Sequence, residues 1–222
     1  MGLGSGNRNH FKEEIIMSKV LYIKGTPQSE EKSKSSHIAR TFVEEYKKNN
    51  PADEVIELEL YGMDVPLIDA DVLNGWEKSR AGQPLTSEEA RKVTAINDFT
   101  HQFMNADKFI IQSSMWNLGI QPLLKAYFDT VMVAGQTFKY TAEGPVGLMK
   151  GKKAIHIHGS GGVYSNTTGI EHADSYVTGA LRFMGIEVAP TIFIEGIDYD
   201  PSQKDAIMSR ITEQAKEVAK QF

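Results

Sequence analysis

Three short stretches of this 222-residue chain bring together the residue types that hold small ligands. The first is Gly25-Thr26-Pro27 followed by Ser33-Lys34-Ser35-Ser36. Hydroxyls and backbone N–H groups at a helix start make an anion site, and the helix dipole adds about 0.3–1 kcal/mol. A phosphate fits there, although Ser35 or Ser36 would also serve simply as a helix cap. The second stretch is Ser113-Ser114-Met115-Trp116-Asn117-Leu118-Gly119, an aromatic and an amide in a tight loop against which a flat apolar ring can lie. Trp116 as a buried core residue is the competing reading. The third is His158-Gly159-Ser160-Gly161-Gly162-Val163-Tyr164, whose glycines let backbone approach a ligand closely and offer N–H groups to its carbonyls.

Other chemistries are excluded or disfavoured by the same residues. The absence of Cys removes disulfides, thiolate nucleophiles, iron–sulfur clusters and thiol zinc sites, so redox chemistry would need a bound cofactor. No G-x-x-x-x-G-K-[ST] loop is present, which disfavours nucleotide triphosphate hydrolysis. Ser160 fails the G-x-S-x-G pattern because position 158 is His, and no His follows His172 to complete a hydrolase triad. His156 and His158 share one strand face without a carboxylate cluster, which favours packed histidines over metal ligands. A receiver domain would want acidic residues after the first strand and an Asp ending the third, where Gly25-Thr26 and Ser113-Ser114 stand. A net charge of -5 leaves no basic footprint for nucleic acid, and no apolar run approaches the roughly 18 residues of a membrane span.

These loops need elements to position them. With 41% apolar and 24% charged residues the chain can bury a large core, and its length suits one elaborated domain. Residues 1–16 read as an extension, disordered or non-native, ahead of a domain over 17–222. They lack the apolar region of a signal peptide, which makes the cytoplasm the default location. Lys12-Glu13-Glu14 is a run of purine-only codons, as in a translated ribosome-binding site, so the native start is expected at Met17. Short β-branched runs predict strands at 19–24, 54–59, 108–112, 153–158 and 188–195, alternating with helical periods. Helices are expected over 36–50, stopped by Pro51, from Thr86 with a Thr86/Glu89 capping box, from Pro122, up to Gly185, and after Asp200-Pro201. The segment 61–85 has neither period and reads as an insertion near a site or interface. The expected fold is α/β, a flavodoxin-like doubly wound parallel sheet of five strands in order 2-1-3-4-5. That topology puts ligands at the carboxyl ends of strands one, three and four, where the three loops lie.

From Met17 onward the chain resembles the FMN-dependent NADH azoreductases, which are flavodoxin-like quinone and azo-dye reductases. The resemblance rests on Ser18-Lys19-Val20-Leu21, Met115-Trp116-Asn117-Leu118, Ala134 to Thr141, Gly151-Lys152-Lys153-Ala154, Gly161-Gly162 and Ile194-Glu195-Gly196-Ile197. It implies FMN with its phosphate at Ser33, Lys34 and Ser35, with Thr26 as a further contact. It also implies the ring against Met115, Trp116, Asn117 and Leu118, and the pyrimidine edge near Gly159, Ser160, Gly161 and Gly162. The pattern departs from the family at Ser114, Gly159 and Ser160, where Pro, Ser and a larger polar residue are common.

In such proteins the active site lies between two subunits of a homodimer. Phe138, Tyr140 and Phe183 match aromatics lining it, and Tyr164 is expected in the same substrate pocket. The resemblance implies hydride transfer from NADH or NADPH to flavin N5 and on to quinones or azo compounds. Charge would develop at flavin N1 and the C2 oxygen, within reach of Gly-loop N–H groups, and no side-chain nucleophile is required. Donor and acceptor would share one flavin face, giving ping-pong turnover. A non-catalytic flavodoxin-type electron carrier is the alternative.

Overall fold

A computed structural model describes residues 17–165 and 169–222. The expected readings of 1–16 lie outside the described residues. Four parallel strands form the centre: β1 (Lys19–Lys24), β2 (Glu54–Glu59), β3 (Lys108–Ser114) and β6 (Lys153–Gly159). The fifth expected strand is broken into β7 (Glu187–Val188) and β8 (Ile192–Ile194), both pairing with β6. Pro190, with no N–H to give a ladder, lies in the gap. The sheet order is β2-β1-β3-β6-β7, with β8 beside β6, so the expected order holds with its last position shared. Buried on both faces, β1 and β3 are almost uninterrupted apolar runs up to their carboxyl ends.

Helices cover both faces. On one, α1 (Lys34–Asn49) and α6 (Lys204–Gln221) pack Ile38, Phe42, Tyr46, Ile211 and Ala215 against Tyr22, Ile110 and Ile155. On the other, α3 (Ser87–Met104), α4 (Pro122–Val131) and α5 (Ala173–Phe183) enclose Phe103, Phe109, Tyr127 and Phe128. The Thr86/Glu89 capping box forms at α3 as expected, and Gly185 follows α5 with φ +89°. Helix α1 starts two residues earlier than the periodicity predicts, with Ser33 as its cap rather than Ser35 or Ser36. Asp200 caps a 3-10 turn (Pro201–Gln203), and the α-helix begins only after it.

Two elements escape the periodicity. The stretch expected to lack regular structure contains α2 (Ala70–Arg80), capped by Asp69, whose buried residues are Val72 and Gly75. A Cβ at Gly75 would sit 2.8 Å from Val93 Cγ2, so glycine is what lets α2 lie close on α3. The second is an antiparallel hairpin, β4 (Phe138–Thr141) with β5 (Gly144–Gly147). No helix among the described residues is long and apolar enough to cross a membrane.

Candidate functional site

The loops after β1, β3 and β6 meet at the carboxyl edge of the sheet. Gly25 leaves β1 so tightly that a Cβ would approach Gln112 O to 2.7 Å. The chain then reaches Ser33, whose Oγ accepts the Ser36 N–H at 3.2 Å and starts α1. With no acidic residue in its first turn, α1 presents a positive dipole end toward the loops. Ser35 is the hub of this end: its Oγ accepts from Gln112 Nε2 at 2.8 Å and bonds the hydroxyls of Ser114 (3.0 Å) and Ser33 (3.2 Å). The β3–β6 ladder runs one step past the strands, with Met115 N–H donating to Gly159 O at 2.7 Å. A Cβ at Gly159 would lie 3.0 Å from that of Ser35, so a side chain there would crowd the α1 terminus.

These groups border a cavity of about 190 Å³. Of the residues expected from sequence, Ser33, Lys34, Ser35, Met115, Gly159, Ser160 and Gly161 line it. Gln28, Lys32, Ser114 and Asp198 line it too and were missed. Ser114 lies beyond the predicted end of β3, and no local signal ties Asp198 to this place. Lys34 Nζ donates to Asp198 Oδ1 at 2.8 Å, bridging the α1 terminus to the loop after β8. Asp198 also packs on Gly161, where a Cβ would meet its Oδ2 at 2.5 Å.

Five expected residues, Thr26, Trp116, Asn117, Leu118 and Gly162, stand apart from the cavity. Thr26 is buried, its Oγ1 accepting the Gln28 N–H at 3.4 Å. Trp116, Asn117 and Leu118 form a tight turn in which Trp116 and Gly119 exchange both backbone hydrogen bonds, at 2.9 and 3.0 Å. Asn117 (φ 48°) and Leu118 (φ 68°) both occupy the left-handed region, as a type I′ turn demands. Asn tolerates that region, whereas a leucine there is strained, a feature that clusters at ligand sites. Trp116 is 40% exposed, beside Tyr61 at 6.2 Å between ring centroids, so it is not core filler. Gly162 accepts the Ser160 hydroxyl at 2.9 Å and packs against the Tyr164 ring, and the Glu195 carboxylate holds the N–H groups of Tyr164 and Ser165.

Phe138, Tyr140 and Phe183 come together, with centroids 5.5 Å (Phe138–Tyr140) and 4.7 Å (Phe138–Phe183) apart. They do so at the other end of the sheet. Helices α4 and α5 start near the carboxyl edge and run back, so the hairpin and Phe183 sit by the amino ends of the strands, where Met149 N–H donates to Met184 O at 2.8 Å. The seven residues of β6 make that separation about 20 Å. A groove of about 590 Å³ opens beside this cluster, between α2, α3 and the hairpin, with Ile68, Trp76, Phe138 and Tyr140 in its walls.

The smaller cavity is the candidate ligand site: it combines a helix N-terminus, clustered serine hydroxyls and closely approaching glycine backbone, a combination not found in the lining of the larger groove. It fits the phosphate end of a flavin nucleotide, with the Trp116 turn and the 159–162 loop beyond it for a planar ring. Comparison with known proteins gives the family. Residues 18–219 match a family described by its flavodoxin-like fold. An FMN-dependent NADH:quinone oxidoreductase 2 of Listeria innocua is 46% identical over 211 residues, covering 93% of this chain and all of the relative. A crystal structure of an azoreductase from Bacillus anthracis superposes with TM-score 0.86 at 37% identity, over 93% of this chain and all of that one. An FMN-dependent NADH-azoreductase of the same species, in complex with FMN, gives 0.84 at 33% identity over 91% of this chain and all of that one. By sequence over nearly its whole length and by fold, this chain belongs to the flavodoxin-like family of FMN-dependent NADH:quinone oxidoreductases and azoreductases.

Proposed function

We propose that the protein is an FMN-dependent NADH:quinone oxidoreductase that also reduces azo compounds, working in the cytoplasm as a homodimer. The observation that carries this reading is the convergence of the α1 terminus, the Met115–Leu118 turn and the Gly159–Gly162 loop at one edge of the sheet. Ser33, Lys34 and Ser35 would hold the cofactor's phosphate through hydroxyl, ammonium and backbone N–H groups. Met115 to Leu118 would carry the ring, and backbone N–H groups of 159–162 would face its pyrimidine edge. When bound, FMN supplies two-electron redox chemistry, which no side chain of this cysteine-free protein can provide. The protein's part is to orient nicotinamide and acceptor on one face in turn, so the oxidised nicotinamide leaves before the quinone enters.

The position of the aromatics supports the dimer. Phe138, Tyr140 and Phe183 stand at the amino ends of the strands, about 20 Å from their own chain's loops. They can border a substrate site only if a second copy brings its carboxyl edge to them. Tyr140 is 73% exposed, as a residue awaiting a partner surface would be.

The test is direct. The purified protein should carry flavin absorbance and release a cofactor of FMN's mass. NADH should bleach that absorbance anaerobically, a quinone should restore it, and double-reciprocal plots should be parallel. A protein that binds FMN but is not bleached by NADH would be an electron carrier instead, and one that cannot be loaded with FMN would defeat the reading.

A further inference from the structure

Directly behind the candidate site, on the opposite face of β3 and β6, lies a buried chain of polar side chains. Ser113 Oγ stands 2.7 Å from His156 Nε2 and 2.7 Å from His158 Nδ1. His156 Nδ1 is 2.7 Å from Asp174 Oδ1 on α5, and the same oxygen accepts the Thr191 hydroxyl at 2.6 Å. Ser113, His156 and His158 are essentially inaccessible to solvent. Ser113, His156 and Asp174 therefore stand in the order and spacing of a hydrolase triad. The serine is nevertheless enclosed within the sheet and its hydroxyl is shared with a second imidazole, so it cannot act as a nucleophile.

Proton accounting gives this chain a direction. A carboxylate only accepts, so His156 donates from Nδ1, and with that ring neutral its Nε2 accepts the Ser113 O–H. The Ser113 oxygen must then accept from His158, which places that proton on Nδ1. His158 Nε2 is left a bare acceptor, and it has no partner among the described residues. Burial and the neighbouring His156 hold His158 down to about pKa 3, in keeping with a neutral ring. Two members of the chain are each followed along their strand by a residue that lines the cavity: Ser113 by Ser114, His158 by Gly159.

We propose that Asp174 is a positioning residue of the cofactor site, acting through His156, Ser113 and His158 to lock the carboxyl ends of β3 and β6 where Ser114, Met115 and Gly159 meet the ligand. The chain ties α5, β6, β3 and, through Thr191, the lead into β8, so one acceptor atom organises four elements. This role rests on the FMN reading above.

The experiment compares Asp174→Asn, Asp174→Ala and Ser113→Ala with the parent protein. Both donors reach the same oxygen of Asp174, so an amide oxygen can replace it. D174N should keep FMN affinity within about twofold and leave the flavin spectrum unchanged. D174A and S113A should each weaken FMN about tenfold and shift the visible spectrum of the bound flavin. Nitrogen-15 NMR of histidine-labelled parent protein should show both buried rings neutral, protonated on Nδ1. Equal FMN affinity and spectra in all four proteins, a doubly protonated His156, or labelling of Ser113 by a fluorophosphonate would each overturn the proposal. Should D174A and S113A fail to fold, the ring tautomers and D174N decide. A parent protein that shows the expected tautomers but binds no FMN refutes the FMN reading and the positioning role with it, while leaving the chain's direction established.

Discussion

At the scale of single residues, burial decides what each side chain can contribute. His158 is the clearest case. Its folded pKa is depressed to about 3, chiefly by burial and then by His156, whereas an unfolded histidine titrates near 6.5. Between those values the unfolded chain binds a proton that the folded chain refuses, so stability falls as pH drops below about 6.5, by up to about 1.4 kcal/mol per pH unit. His158→Gln should flatten the dependence of the urea midpoint on pH between 6 and 4; an unchanged slope would assign it to other groups. Trp116 is a different case because it is substantially exposed. Trp116→Ala should leave apo-protein melting nearly unchanged while FMN affinity falls about tenfold, since contact with a flat ring is worth on the order of 1–2 kcal/mol. Ser33 and Ser35 combine two duties, capping or bracing α1 and facing the cavity. Replacing both with Ala should weaken FMN by about 1–3 kcal/mol, as titration of the apo-protein would measure.

At the scale of elements, close backbone approach and end-capping set the positions. Thr86 Oγ1 accepts the Glu89 N–H at 3.2 Å and the Glu89 carboxylate returns to the Thr86 N–H at 2.8 Å. Thr86→Ala should cost about 1 kcal/mol in urea unfolding without altering FMN binding, because no residue of α3 lines the cavity. The hairpin depends on Gly147, where a Cβ would run into the backbone of Met184 and Gly185. Gly147→Ala should destabilise by about 1–3 kcal/mol and displace the strands that carry Phe138 and Tyr140. Quinone reduction should suffer more than FMN affinity if those aromatics serve a neighbouring subunit. Equal losses in both would argue against that arrangement.

For the whole molecule, the sheet separates two edges. Its carboxyl edge holds the candidate cofactor loops and its amino edge the aromatic cluster, and the proposed homodimer is the assembly that would unite them. Sedimentation should therefore give a dimer, and a fully active monomer would refute it. Tyr140→Ala should raise the KM for quinones with little change in FMN content. Acid should cost the protein stability over two pH windows. His158 acts first, as worked out above. Asp174 follows: burial raises its pKa, but hydrogen bonds from His156 and Thr191 with the nearby imidazoles outweigh that and hold it below the usual range. The stability it confers is present above the unfolded carboxyl value near 4 and is lost as pH falls through the lower folded value.

The sequence by itself determined what local chemistry controls. The first two strands, the alternation with helices, the capping box at Thr86 and the α/β class are all readable, because apolar period and cap residues act over a few neighbours. The resemblance carried by Met115-Trp116-Asn117-Leu118 and Gly161-Gly162 named the family and its cofactor. Tertiary structure alone decided the rest. Helix α2 escaped because only Val72 and Gly75 are buried, so it shows little amphipathic period. The break at Pro190 lies inside an apolar run that reads as one strand. Nothing local places Asp198 beside Lys34, or Asp174 behind Ser113, since those partners are 164 and 61 residues apart along the chain. The distance between the aromatics and the cofactor loops likewise comes from helices α4 and α5 running back along the sheet. Such relations depend on which distant segments the fold brings into contact, and neither periodicity nor residue type encodes that.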